Sequence, residues 1–330
     1  MSRPVTLFSG QWVDIPFEKF CEKARAFGYD GIEIACQGDH LDIKKAATDL
    51  KYTEERKNIL KNFGLKAWAI GTHHLGHCVS GNFDPRVNGF VPSNLAGKGE
   101  DIRKWAIQEM KYAAAAAKNL GVKIVTGFMG SPVWAYWYSY PQTTEQMIND
   151  AYTQIIKLWT PIFDEFDKNG VKFAMEVHPA EIAFDYYTAE RLLKEFKSRK
   201  TLGFNFDPSH LIWQGVTPHI FIREFASKIL HVHMKDAAVT LDGKAGLLGS
   251  FLPFGDVKRG WNFRSLGRGD INFENIIREL NAINYKGPLS VEWEDTGLNR
   301  EVGAMEALEF VRNINFSPSD VAFDDVHKSE

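Results

Sequence analysis

The chain has 330 residues, with 39 Lys and Arg set against 42 Asp and Glu and a formal net charge of −3. With a pI near 6.4 and no long basic run, it gives no case for nucleic acid as a partner, and no stretch approaches the roughly 18 apolar residues of a membrane span. Cys21, Cys36 and Cys78 are too few and too irregularly spaced for a disulfide framework. A reducing cytoplasm is the expected location, and the first residues lead into a strand-like run without a charged-then-apolar leader.

Strand and helix patterns alternate from there. Residues 5–8 read as a strand, and Pro16 opens a helical pattern that Gly28 stops. Residues 31–35 form the second strand, Thr53 caps a helix to Phe63, and residues 65–70 form the third strand. A long connection rich in His, Gly, Asn and Pro runs from Gly71 to about Gly99. The helix over 101–119 contains the alanine run 113–117, high in propensity and low in bulk. Residues 122–126 are the fourth strand. An aromatic loop over 132–141 follows, then a helix over 144–168 with a kink expected at Pro161. Strands five and six (171–177 and 202–206) flank a helix over 188–196, and Pro218 opens the next helix. Strand seven (229–234) is trailed by a Gly-rich loop over 235–269. A helix over 273–283, a strand over 289–293 and a helix over 301–313 complete the series.

Eight strand–helix pairs without a break in composition predict an α/β fold, a single closed (β/α)8 TIM barrel over residues 1–313 with a C-terminal tail over 314–330. The helix-to-strand turns are short and the strand-to-helix loops long, which assigns function to the carboxyl ends of the strands.

Four successive strands end in metal-type ligands: Glu176 after an apolar run in residues 173–179, Asp207 in 204–210, His233 in 229–236 and Glu292 in 289–295. A closed barrel gathers strand ends around its axis. Three carboxylates and one imidazole make a hard oxygen/nitrogen set for one divalent ion, Mn, Zn, Mg or Co. Each residue alone reads equally well as a buried, hydrogen-bonded strand-end group; four in register favour the metal. Alternation puts Glu294 on the same side as Glu292, so either serves as the last ligand, and Glu292 is preferred because it lies closer to the apolar run.

Other polar residues cluster at the same end. His178 and His210 follow two of the carboxylates and suit orienting a ligand or touching substrate. Lys235, followed by Asp236, is placed to stabilise a developing oxyanion. His73, His74 and His77 follow strand three and suit either a second metal or the cleft lining; their spacing fits no zinc signature, and His74 is assigned to the lining. Trp134, Tyr136, Trp137 and Tyr138 suit stacking on a sugar ring, and equally suit covering the barrel or a contact between copies. Arg264 is a candidate for a substrate hydroxyl, carboxylate or phosphate. No phosphate-binding loop is present, which tilts the substrate toward unphosphorylated sugars.

Together these residues resemble the xylose isomerase-like barrel superfamily, and within it proteins described as sugar phosphate isomerases/epimerases. The similarity spans essentially the whole chain. It is most specific around Glu176, around Asp207 and His210, around His233, in the Leu266-Gly-Arg-Gly269 turn and around Glu292. The resemblance implies that Glu176, Asp207, His233 and Glu292 ligate a divalent metal, and that Glu176 and Glu292 exchange protons with substrate. The DNA-repair branch of the superfamily is disfavoured: strand four ends without a histidine, and Trp261-Asn-Phe263 replaces its Asp-x-His.

The expected function is a divalent-metal-dependent sugar isomerase or epimerase that removes a proton alpha to a carbonyl and passes through an enediolate. Two alternatives stand beside it. One is a metal-dependent lyase on 3-keto-glycosides, with a histidine such as His178 as base; the other is an inactive sugar-binding barrel. The expected partner is a small carbohydrate, and the oligomeric state, a homo-oligomer included, is left open.

Overall fold

The computed structural model describes residues 3–134 and 139–321. The aromatic candidates Tyr136, Trp137 and Tyr138, and the end of the tail, lie outside the described residues. Seven short strands come first: β1 (Val5–Phe8), β2 (Gly31–Ala35), β3 (Lys66–Gly71), β4 (Ile124–Gly127), β5 (Lys172–Glu176), β6 (Leu202–Phe206) and β7 (Ile229–Met234). A two-stranded antiparallel ribbon, β8 (Asp236–Val239) with β9 (Trp261–Arg264), precedes the last barrel strand, β10 (Leu289–Val291). The barrel closes in the order β1-β10-β7-β6-β5-β4-β3-β2 with every pair parallel.

The helices are α1 (Phe17–Phe27), α2 (Ile43–Thr48), α3 (Leu50–Asn62), α4 (His73–Ser80), α5 (Gly99–Leu120), α6 (Glu145–Asn169), α7 (Tyr186–Glu195), α8 (Ser209–Ile212), α9 (Pro218–Glu224), α10 (Phe273–Ala282) and α11 (Arg300–Ile314). Their apolar faces pack on the outside of the strands, where Trp159, Phe163, Phe166, Phe173 and Phe204 are fully buried. Four of the five alanines in the run on α5 are buried, the small side chains allowing close helix packing. No helix among the described residues is long and apolar enough to cross a membrane, and all three cysteines are free.

Three local expectations change. Thr53 is not a helix cap: Asp49 caps α3 by accepting from the Lys51 and Tyr52 amides, and the Thr53 hydroxyl bonds the Ala46 carbonyl at 3.0 Å. Asp185, not Thr188, starts α7, through a reciprocal bond pair with Thr188. The connection after β3 is not irregular throughout, since His73–Ser80 forms α4. Gly76 permits it, because a Cβ there would lie 1.9 Å from the Phe128 carbonyl oxygen.

The inside of the barrel is polar rather than aliphatic. Thr6, Glu33, Thr126, Asn205, His231, His233 and Ser290 are all buried, and the strand pairings set Asn205 beside His231 and His233 beside Ser290. A polar layer at this depth destabilises the fold wherever it is left unpaired; Glu33 ties together His231, His233, Thr126 and Ser290, while Thr6 Oγ1, Asn205 Oδ1 and His231 Nδ1 have no hydrogen-bond partner among the described residues.

Candidate active site

Neighbouring strands β5, β6, β7 and β10 carry Glu176, Asp207, His233 and Glu292 to one point. One ligand atom from each lies within 4.8 Å of the others, and all four residues are buried. Asp207 is aimed by its own loop: Oδ1 accepts from the Ser209 amide at 2.8 Å and hydroxyl at 2.7 Å. Glu176 Oε2 accepts from Asn205 Nδ2 at 2.7 Å. His233 Nδ1 stands 2.9 Å from Glu292 Oε2 and 3.2 Å from Glu176 Oε2.

Three atoms in this cluster are sealed from solvent without a hydrogen-bond partner: Asp207 Oδ2, His233 Nδ1 and Glu292 Oε2. Leaving such a group unpaired costs about 1–3 kcal/mol each; others are dispersed through the fold, at Thr6, Trp12 and His40 among them, but these three belong to residues that meet at one point. A divalent cation would satisfy all three at once, and carboxylate oxygens with an imidazole nitrogen suit Zn, Mn, Co or Mg. Glu294 stays outside the four-residue cluster. It shares Gln11 with Glu292, whose carboxylates accept from Gln11 Nε2 at 3.0 and 3.1 Å.

Burial pushes the Glu292 carboxyl up, but the charges of Lys235 and His233 outweigh it and hold the group at about 2. Burial likewise opposes ionisation of Glu176, while the His73 charge and the close His210, His233 and His73 imidazoles hold it well below the usual range. Asp207 goes the other way: desolvation raises it to about 6 despite His210 and Lys235. Lys235 is buried between Glu292 (3.4 Å) and Glu294 (3.2 Å), its ammonium 4.2 Å from the Phe263 ring centroid. It supplies the positive charge that three carboxylates around one divalent ion would otherwise lack.

Sequence reasoning missed Glu33. It lies in the middle of β2 and is fully buried. Its Oε2 accepts from His231 Nε2 at 2.8 Å, His233 Nε2 at 2.9 Å and Ser290 Oγ at 2.8 Å, and its Oε1 from Thr126 Oγ1 at 2.5 Å. With Nε2 of His233 committed to this carboxylate, Nδ1 is the nitrogen presented to Glu176, Asp207 and Glu292, the arrangement in which a buried carboxylate fixes a ligating imidazole. The only sequence signal was an acidic residue between two isoleucines.

Glu176 and Glu292 of the cluster line a cleft of about 1260 Å³. His73, His74, His77, Trp134, His178, His210, Lys235 and Glu294 line it. His73 Nε2 is 3.1 Å from Glu176 Oε2. His74 stacks on Phe90 at 3.9 Å and meets Gln37 Nε2 with Nδ1 at 2.6 Å. The Trp134 indole N–H is taken by the Ile182 carbonyl at 3.2 Å. His210 Nε2 is 3.3 Å from Glu176 Oε1 and 3.4 Å from Asp207 Oδ2. His178 Nδ1 accepts the Ala180 amide at 3.2 Å. In that arrangement the neutral ring carries its proton on Nε2. Arg264 is not among the cleft-lining residues. It sits on β9 next to Phe263, and alternation along the ribbon sends the two side chains to opposite faces. Asp236 serves the fold, accepting from the amides of Ala237, Gly267 and Gly269 at 2.9, 3.0 and 2.9 Å, and so clamping the turn over 266–269.

Comparison with known proteins agrees with this architecture. Over 318 residues the chain is 25% identical to YfiH, an uncharacterized protein of Bacillus subtilis (strain 168), covering 90% of this chain and 95% of that one. A 90-residue stretch is 38% identical to an inosose dehydratase of Clostridium beijerinckii, 27% of this chain and 29% of that protein. The solved structure of 3-keto-D-glucoside 4-epimerase, YcjR, from E. coli superimposes with a TM-score of 0.66 at 14% identity, over 94% of this chain and 99% of that one. The model of the family described as xylose isomerase-like TIM barrel matches residues 21–314, and the chain belongs to that family.

Proposed function

We propose that this chain is a divalent-metal-dependent enzyme that removes a proton alpha to the carbonyl of a sugar or related polyol, acting as an isomerase or epimerase. The observation that carries the reading is the meeting of Asp207, His233 and Glu292, each with a buried ligand atom that no hydrogen bond satisfies (Oδ2, Nδ1 and Oε2), beside Glu176. When bound, the cation supplies Lewis-acid polarisation of the carbonyl.

The chain's own residues supply the rest. Glu292 is 8% exposed against 2% for Glu176, so it is the first choice for the base. Glu176, braced by Asn205 and His73, is the second carboxylate. Lys235 keeps Glu292 ionised, and the Nε2–H of His178 is available to a substrate oxygen. A proton returned to the same carbon from the other glutamate gives the epimer; one returned to the neighbouring carbon gives the isomer.

The test pairs elemental analysis of the purified protein with proton exchange on a panel of ketoses, keto-cyclitols and 3-keto-glycosides in D₂O. Stoichiometric divalent metal and deuterium entering the alpha carbon support the reading. Turnover without any such incorporation, or a protein that takes up no added divalent ion, sinks it. A sugar-binding barrel without chemistry would instead bind ligand and show no activity for Glu176→Gln to abolish.

A further inference from the structure

The cleft holds a second pair of titratable groups that this proton transfer leaves unused. His77 Nδ1 lies 2.6 Å from Glu181 Oε1. Glu181 is 1% exposed, and its other oxygen accepts from the Met129 amide at 3.0 Å and from the Gly130 amide, so the carboxylate cannot swing away. Phe90 meets the His77 ring edge-on at 6.0 Å. His77 Nε2 has no hydrogen-bond partner among the described residues, and the side chain forms part of the cleft wall.

A carboxylate holding one imidazole nitrogen leaves the other to give or take a proton. Helix α4 sets where this happens. His73 and His77 are four residues apart, hence on one face with about 5–6 Å between their Cβ atoms, and His73 reaches Glu176 of the metal-type cluster. The pair thus stands one helical turn from the carboxylates, across a gap a sugar ring can span. The cleft, at about 1260 Å³, exceeds the 300–1,000 Å³ typical of small-ligand pockets, leaving room for a substituent beyond the ring.

We propose that His77, oriented by Glu181, is a general acid that protonates a departing oxygen, so that the substrates include keto-sugars or keto-cyclitols with a hydroxyl or alkoxy group β to the carbonyl. This rests on the proton-abstraction reading above. Glu292 or Glu176 takes the alpha proton, the C–H electron pair becomes the new C=C bond, and the β C–O bond breaks. The proton on His77 Nε2 goes to the leaving oxygen. The products are an α,β-unsaturated ketone and water or an alcohol, and solvent returns one proton to His77 and removes one from the glutamate.

The charged and titratable groups facing His77 are Glu181, Asp84 and Arg86 from the turn after α4, and His73, His74 and His178. Burial pushes the imidazolium down, but Glu181 more than offsets this, with Asp84 raising and Arg86 lowering it, so the net shift is upward. Activity that needs the protonated ring is present below that raised pKa and falls as pH rises through it.

The test uses methyl and 4-nitrophenyl 3-keto-glucosides with the intact enzyme. His77→Gln should slow release of methanol by on the order of 10²–10⁴-fold and release of the acidic nitrophenol far less. The ratio is internal to one preparation, so partial misfolding does not imitate it. Equal losses on both probes, or none on either, overturn the proposal. In Glu181→Gln the high-pH fall should move down by about 1–3 units, and the His77 ring signals in NMR should titrate lower by the same shift; an unchanged titration overturns the pairing. Wild-type protein that exchanges the alpha proton yet eliminates neither probe defeats the general acid and leaves the proton-abstraction reading standing. If it exchanges nothing, that reading falls, and the NMR titration still judges the pairing.

Discussion

The two halves of the barrel contribute to the site differently. Strands β1 to β4 end in Phe8, Ala35, Gly71 and Gly127, none of them titratable, whereas β5, β6, β7 and β10 end at or within one residue of Glu176, Asp207, His233 and Glu292. The first half is not idle. Glu33 grips His233 from within β2, Gln11 bridges Glu292 and Glu294, and His73 reaches Glu176 from α4. The Phe8 ring lies 5.5 Å from that of His73 and 5.4 Å from that of His233. One half supplies candidate ligand atoms, and the other aims them.

The strongest way to break this division is to remove a ligand atom without disturbing its support. Asp207→Asn keeps an acceptor for the Ser209 amide and hydroxyl but deletes a buried carboxylate that desolvation already raises to about 6. Bound divalent ion should be lost, and turnover should fall by on the order of 10²–10⁴-fold, read by elemental analysis and steady-state kinetics. The cation-free variant should unfold in urea no earlier than the cation-free parent, because an uncompensated buried charge has been removed. A variant that keeps its ion and its rate would take Asp207 out of the site.

The aiming half is tested by Glu33→Gln. The amide oxygen can keep facing His231, His233 and Ser290 while the amide nitrogen faces the Thr126 hydroxyl, so the barrel should survive with a loss of about 1–3 kcal/mol. What goes is the negative charge behind His233. Chelator competition should show divalent ions bound about 10–100-fold more weakly. Unchanged affinity would reduce Glu33 to a packing element and erase the division between the halves.

The ligand half was legible in the sequence because a carboxylate or imidazole at the end of an apolar run is a local pattern, and barrel closure does the rest. Glu33 was not legible. Its partners are 93 to 257 residues away, and alternation alone says that it faces inward without saying that anything there receives it. Helix α4 was hidden for a different reason: its His- and Gly-rich composition reads as a loop, and what makes it a helix is a tertiary fit against Phe128 that only glycine at position 76 allows. The Lys235–Gly269 segment concealed a ribbon, and with it the face on which Arg264 falls. Arg259 lines the cleft there instead, between Phe254 and Trp261 at 4.0 and 4.3 Å from their ring centroids.

That fit offers a smaller and sharper test. Gly76→Ala would press a methyl into the Phe128 backbone, a contact that no side-chain rotation relieves. Overpacking of this kind costs about 1–3 kcal/mol, measurable as a lower urea midpoint. Because His73 and His77 ride on α4, the variant should also weaken whatever depends on them more than it weakens cation binding by the other half. If both fall together, α4 belongs to the ligand-bearing unit after all.

The least effect is expected at the far rim of the cleft. Phe251 is 85% exposed, and Leu241, Leu248 and Val257 on the same excursion from the ribbon are also exposed. What holds that excursion is Arg259, which donates through Nη1 to the carbonyls of Ser250 and Leu252, together with the stacking of Trp261 on Trp213 at 4.4 Å. Phe251 takes no part in either, so Phe251→Ser should change unfolding stability by no more than about 0.5 kcal/mol and leave cation affinity as it was. A loss several times larger would mean that this ring is anchored when the protein is in solution. The ribbon wall would then be part of the rigid ligand half instead of an appendage to it, and the substrate would meet a preformed surface on that side of the cleft.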